Sequence, residues 1–77
     1  MTEVEWLEEF GDNLFSMMYE AKMTQAELAE ITGLSKGTIS KYLNKQQIPS
    51  YKAIINIAYA LECEVSDLID FGETIEN

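Results

Sequence analysis

TQAELAEITGLSKGTISKYLNKQQIPS, residues Thr24–Ser50, is the stretch that decides the fold. Thr24 followed by Glu27 fits a capping box, in which the hydroxyl and the carboxylate each accept from an amide left unpaired at a helix start. Leu28, Ala29 and Ile31 then supply an apolar side. Gly33 stops this helix, because a helix commonly ends on a residue with positive φ. Ser35 caps the next one, over residues 36–44. Within it Ile39, Tyr42 and Leu43 face inward by their i, i+3, i+4 spacing, which leaves Lys36, Gly37, Ser40, Lys41 and Asn44 on the opposite side. The small Ala29 lets the two helices approach closely, and Gly33 makes the turn between them. The pair therefore holds a lysine-bearing, hydroxyl-bearing face outward.

Working outward, residues 4–21 place Leu7, Phe10, Leu14, Met17 or Met18 and Ala21 at helical spacing. Glu3, Glu5, Glu8 and Glu9 stand near the start, where the helix dipole favours negative charge. Gly11 weakens such a helix by about 1 kcal/mol relative to alanine. It marks either a close helix contact or a true start near residue 10. Beyond the loop Lys45–Pro49, Ser50 caps a fourth helix over 51–61, with Ile54, Ile57, Ala58 and Leu61 as its core stripe. Ser66 is expected to cap a short fifth helix carrying Leu68 and Ile69. From Gly72 the chain is polar, a tail over 72–77. No repeat, low-complexity tract or strand pattern interrupts this. The expectation is an all-α, compact five-helix fold in one domain spanning 1–77, with its core at about 10–70.

Composition narrows the function classes. At 77 residues and 47% hydrophobic, the chain is long enough and apolar enough for one modest core. Cys63 is the single cysteine, so no intrachain disulfide can form, and it reads as an inert core residue. Histidine is absent, which removes the usual metal ligand and general base. The stretch Gly33–Thr38 lacks the G-x-x-x-x-G-K-[ST] spacing of a phosphate loop. The sequence therefore points to no enzyme, cofactor or metal site. No apolar run approaches the roughly 20 residues of a membrane span. The N-terminus is acidic and lacks the basic start of a signal peptide. A cytoplasmic, reduced protein with no membrane partner is expected.

The formal net charge of −9 is unevenly distributed. Residues 1–20 hold six acids and no base, and residues 62–77 hold six acids and no base. The middle, 21–61, carries all five lysines against Glu27 and Glu30, a balance of +3. Charge blocks of this kind are usually solvated faces and tails; the functional reading is that the positive middle meets an anion while the ends stay away from it.

These residues resemble a known family. The pattern T-Q-x-x-L-A-x-x-x-G-[LV]-S-x-x-T-I-S-x-Y-x-N, followed by I-P-S and I-x-x-I-A-x-A-L, looks like the Cro/repressor-type helix-turn-helix domain of phage and bacterial regulators. It is carried here by Thr24, Gln25, Leu28, Ala29, Gly33, Leu34, Ser35, Thr38, Ile39, Ser40, Tyr42, Asn44, Ile48, Pro49, Ser50, Ile54, Ile57, Ala58, Ala60 and Leu61. The resemblance spans about residues 10–70 and implies a lambda-repressor-like DNA-binding domain. It implies a sequence-specific transcriptional regulator, a repressor acting as a dimer on double-stranded DNA, with helix 36–44 in the major groove.

Residue by residue, the resemblance puts Gln25 and its amide against a phosphate at a helix N-terminus. Ser35 opens the recognition helix. Lys36 and Gly37 take its first base-facing positions, and Lys41 a later one. Thr38 and Ser40 reach base edges or phosphate, and either lysine can donate to guanine O6 or N7. Asn44, Lys45 and Gln46 fall where the following loop meets the DNA backbone. Three features depart from the family pattern. Gly37 offers no side chain at a reading position, and the chain has no arginine. Lys45 stands where glycine is usual, so Asn44 is expected to supply the left-handed residue; Glu62 also replaces a common glycine. Trp6, Phe15 and Tyr19 exceed what one face of the first helix can bury, and they are candidates for a homodimer or partner surface. The alternative reading keeps the fold and lets the acidic ends dock on a basic protein, as an antitoxin would.

Overall fold

The apolar spacing of the first twenty residues builds α1 (Glu3–Ala21), the longest helix of the computed structural model, which describes residues 3–69. Phe10, Leu14 and Met18 are its buried row; Ala21, placed on the same row by spacing, is exposed at the helix end. Gly11 lies well inside the helix, so the close-contact reading holds and a start near residue 10 does not. A Cβ there would stand 3.0 Å from the Tyr42 carbonyl oxygen and 3.0 Å from Lys45 Cγ.

Three hydroxyl caps begin the next three helices, as their sequence positions suggest. The Thr24 hydroxyl accepts from the Glu27 amide at 3.1 Å, and the Thr24 amide donates to the Glu27 carboxylate at 2.8 Å, opening α2 (Gln25–Thr32). Ser35 opens α3 (Lys36–Leu43) and Ser50 opens α4 (Tyr51–Ala60), each accepting from the amide three residues on. Gly33 ends α2 at φ 80°, and its amide donates to the Ala29 carbonyl. Leu28 is the buried residue of α2, whereas Ile31, expected on the buried side, is mostly exposed. A helix of two turns has one narrow contact face, and Leu28 occupies it.

The fifth helix, α5 (Val65–Leu68), corrects one expectation: Ser66 lies inside it and does not cap it. The cap position falls to Glu64, two residues before Ser66, and the Asp67 carboxylate accepts from the Glu64 amide at 2.8 Å. Ile69 follows in extended backbone and is buried. Asn44 also departs from expectation. It caps α3 at φ −87°, and Lys45 itself adopts the left-handed conformation at φ 62°. Lys22 and Glu62 do the same after α1 and α4. In all three, the next amide bonds back to the last turn: Met23 to Met18, Gln46 to Lys41 and Cys63 to Ala58. These back-bonds satisfy carbonyls left over at the helix ends, and that outweighs the left-handed penalty.

α1 packs on α3 and α5, α2 packs on α3 and α4, and α4 packs on α5. The shared core joins Phe10, Leu14, Leu28, Ile39, Ile54, Ile57 and Leu68. The Tyr42 ring meets Phe10 edge-on at 5.7 Å, the geometry ring quadrupoles favour. Trp6 stacks on Phe10 and is half-buried, while Phe15 and Tyr19 are exposed. Two side-chain amides fasten the ends. Asn13 donates to the Leu68 carbonyl at 2.8 Å, and Asn56 donates to the Thr32 carbonyl at 2.7 Å. Among the described residues no strand occurs, and no helix is long and apolar enough to cross a membrane. The expected polar tail 72–77, and the acids Asp70, Glu73 and Glu76, lie outside the described residues.

Candidate nucleic-acid interface

The α2–α3 unit begins with packing. Ile39 and Tyr42 are buried and Leu43 is half-buried, so α3 is clamped from one side. At about 100° per residue, Lys36, Gly37, Ser40, Lys41 and Asn44 span an arc of about 140° on the opposite side. Lys36, Gly37, Lys41 and Asn44 are exposed and Ser40 is half-exposed. The turn beneath them is held by Thr32. Its hydroxyl donates to the Leu28 carbonyl at 2.7 Å and accepts from the Leu34 amide at 3.2 Å. Asn56, pinning the Thr32 carbonyl, ties this turn to α4.

Several polar side chains of the face are already engaged locally. The Ser35 and Thr38 hydroxyls lie 2.8 Å apart and share a hydrogen bond, while Ser35 also accepts from the Thr38 amide at 3.0 Å. Ser35 is thus first a cap, and its hydroxyl orients Thr38, which is half-buried. Asn44 donates weakly to Ser40 Oγ at 3.3 Å. The charged pair Lys36 and Lys41 projects from the two ends of the face, one at the helix start and one in its last turn. Gln25 is the first residue of α2, where amides lack intrahelical acceptors. It is half-exposed and shares a shallow cleft with Phe15, Met18, Tyr19 and Leu43. The hydrogen bond from the Thr24 amide holds the neighbouring Glu27 carboxyl below its usual range.

Lys45 differs from the other lysines. Its ammonium lies 2.8 Å from the Asp12 carboxylate of α1. The hydrogen bond to Asp12 raises its pKa above the ordinary lysine value, and the Asp12 and Glu8 charges act in the same direction. Its stem crosses α1 at Gly11. Gln46 is exposed, and its amide closes the helix end on the Lys41 carbonyl at 2.8 Å. Thr32, Asn56 and Asp12 shape this face, and sequence reasoning did not select them. Thr32 had a signal, since a threonine just before a helix-ending glycine can bond back to the preceding turn. Asp12 and Asn56 act on partners far along the chain and had none. Among the described residues, no cluster of acids and cysteine suits a metal ion.

The comparisons agree with this geometry. A family model described as the Cro/C1-type HTH DNA-binding domain matches residues 13–73. The restriction-modification controller protein C.AhdI from Aeromonas hydrophila superposes with a TM-score of 0.78 at 27% identity, covering 82% of this chain and 96% of that one. An HTH_3 family transcriptional regulator from Vibrio cholerae superposes with a TM-score of 0.85 at 19% identity and shares the fold. That match covers 96% of this chain, which spans 42% of the Vibrio protein. A search of curated proteins found no match. With most of its length matched, and a five-helix architecture shared with helix-turn-helix regulators, the chain belongs to the Cro/C1-type helix-turn-helix DNA-binding domain family.

Proposed function

We propose that this chain is a sequence-specific transcriptional repressor that lays α3 in the major groove of duplex DNA and works as a homodimer. The observation that carries the reading is the exposed face of α3, with Lys36 at its start and Lys41 in its last turn, held outward by buried Ile39 and Tyr42. A groove about 12 Å wide admits such a helix, and lysine can donate to guanine O6 or N7 there. Ser35, Gly37, Thr38 and Ser40 lie along the same start, Gln25 offers a phosphate contact from α2, and Asn44, Lys45 and Gln46 follow on the loop side.

The acidic balance limits this binding without forbidding it. Charges more than about 8–10 Å from the interface are largely screened at physiological salt. With five lysines, each subunit neutralises few phosphates, which keeps non-specific binding weak. Useful affinity then comes from two half-sites about 34 Å apart. For the second copy we favour the outer side of α4. Tyr51, Ile55 and Tyr59 recur every four residues and are 63%, 44% and 85% exposed. Between Gln46 and Leu61 the one charged residue is Lys52, with Glu62 following at the far end, so the stripe itself carries no carboxylate. The Phe15–Tyr19 patch, by contrast, is flanked by Asp12, Glu20 and Lys22. The match to a DNA-binding domain favours a duplex over a basic protein as the main partner.

Selection from a random DNA pool tests the proposal. One enriched sequence with two-fold symmetry is expected, and Lys36→Ala should change the preferred base at one position of each half-site. Failure to enrich any sequence, even at low salt, would overturn the reading. Sedimentation velocity on Tyr59→Glu should show a monomer where the parent is dimeric. An unchanged dimer would remove α4 from the interface.

A further inference from the structure

Asp12 is the described residue on which the ion-pairing of the α3 loop turns. Lys45 is the residue just past the α3 cap, on the loop expected to meet the DNA backbone. Its left-handed backbone and the close pass over Gly11 carry its side chain along α1. It ends 2.8 Å from Asp12, with the pair open to solvent on both sides. A carboxylate at that distance occupies the ammonium as a phosphate oxygen would. Glu8, one turn earlier on α1, adds to the negative field around the same ammonium. Asn13, the next residue, is bound to the Leu68 carbonyl, so this part of α1 is anchored and Asp12 stays in place.

We propose that Asp12 is a specificity-determining residue that acts as an internal phosphate surrogate, withholding Lys45 from DNA phosphates and so suppressing sequence-independent binding. The inference rests on the reading of α3 as the duplex-facing helix. Its logic is a competition between two anions for one cation. The Asp12 carboxylate is intramolecular and always present. A phosphate must displace it, and exchanging one anion for another gains the complex little. Lys36 and Lys41, on the groove-facing side, keep their charge for base edges. Contacts to phosphate position a protein without carrying sequence information, so removing one from the balance raises the share of affinity that depends on sequence.

The test is fluorescence anisotropy with a short duplex of arbitrary sequence, titrated at salt concentrations between about 50 and 200 mM. Five proteins are compared: the parent, Asp12→Asn, Lys45→Ala, the double variant, and Glu20→Gln as a control with the same change of net charge. Asp12→Asn should bind about three- to fivefold more tightly at low salt, the scale of one exposed ion pair. Its log–log salt slope should steepen by about 0.9 per subunit, as one more phosphate is neutralised. Lys45→Ala alone should bind like the parent, and in the double variant the gain should vanish. Glu20→Gln should leave the slope unchanged. A gain that survives without Lys45, or a Glu20→Gln effect equal to that of Asp12→Asn, would overturn the proposal. Adding Lys36→Ala and Lys41→Ala separates the two readings. If they abolish binding while Asp12→Asn changes nothing, α3 remains the interface and Asp12 has no such role. If no protein retains the duplex even at the lowest salt, the Asp12 proposal falls, and binding of the same proteins to the selected operator decides the reading of α3 separately.

Discussion

Gly11→Ala sets two effects of similar size against each other, and the structure determines which prevails. In a helix interior, alanine is more favourable than glycine by about 1 kcal/mol, so an open site would gain stability. At Gly11 the new methyl would stand 3.0 Å from the Tyr42 carbonyl oxygen, 3.0 Å from Lys45 Cγ and 3.3 Å from Lys45 Cε. The lysine carbons can swing aside. The carbonyl cannot, because it is in the last turn of α3 and accepts from the Lys45 amide at 3.1 Å. Moving it loosens that helix end and separates α1 from α3. Overpacking of this kind typically costs about 1–3 kcal/mol. Offset by the helix gain, the net loss should be about 1 kcal/mol, a fall in melting temperature of about 4–8 °C for a domain this small. Thermal and urea unfolding followed by circular dichroism measure it directly. A variant as stable as the parent, or more so, would show that the α1–α3 contact is slack.

Gly37→Ala should behave oppositely, since its nearest neighbour would be Ser35 Oγ at 3.9 Å; a gain of about 0.5 kcal/mol is expected, and a lower melting temperature would contradict it. Glu62→Gly should raise stability by about 0.5–1 kcal/mol by relieving a left-handed residue at φ 55°, and urea unfolding would show a higher midpoint. Glu27→Gln should lower the melting temperature near neutrality. Because folding depresses the Glu27 pKa below 4.5, its contribution is complete above that value and disappears as pH falls through the folded value. The gap between the two proteins should therefore close on acidification, and a gap independent of pH would exclude the capping carboxylate as its cause. Cys63 should react slowly with a thiol reagent at neutral pH. Burial first, then the nearby Asp67 and Glu64 charges, push its thiol above 9.0, and rapid labelling at pH 7 would contradict this.

Features that depend on neighbours in sequence were readable, and features that depend on distant partners were not. Thr24, Ser35, Ser50 and Gly33 act within three or four residues, and each sits where its cap chemistry required. The Ser66 expectation failed because Asp67 supplies a competing acceptor at the same turn. The left-handed residue fell to Lys45 and not Asn44 because the back-bond from Gln46 to Lys41 fixes the register, and side-chain preference is weak beside a hydrogen bond. Ile31 shows that an apolar residue in a two-turn helix has no assured place inside. The α3 face was legible because its buried and exposed residues alternate at helical period. The Asp12–Lys45 pair joins residues thirty-three apart and was invisible until α1 and α3 were packed together. The outward Tyr51–Ile55–Tyr59 stripe was hidden for another reason: tyrosine serves equally in cores and on contact surfaces.

On this reading the lysine-bearing side of α3 is the surface a duplex covers. Amide chemical-shift mapping of the isotope-labelled chain, titrated with its selected operator, shows which surface the duplex covers. Shifts concentrated on residues 35–41, with Gln25 and residues 44–46 following, are predicted. Shifts confined to the acidic side of α1 or to α5, with Lys36 and Lys41 unmoved, would contradict it.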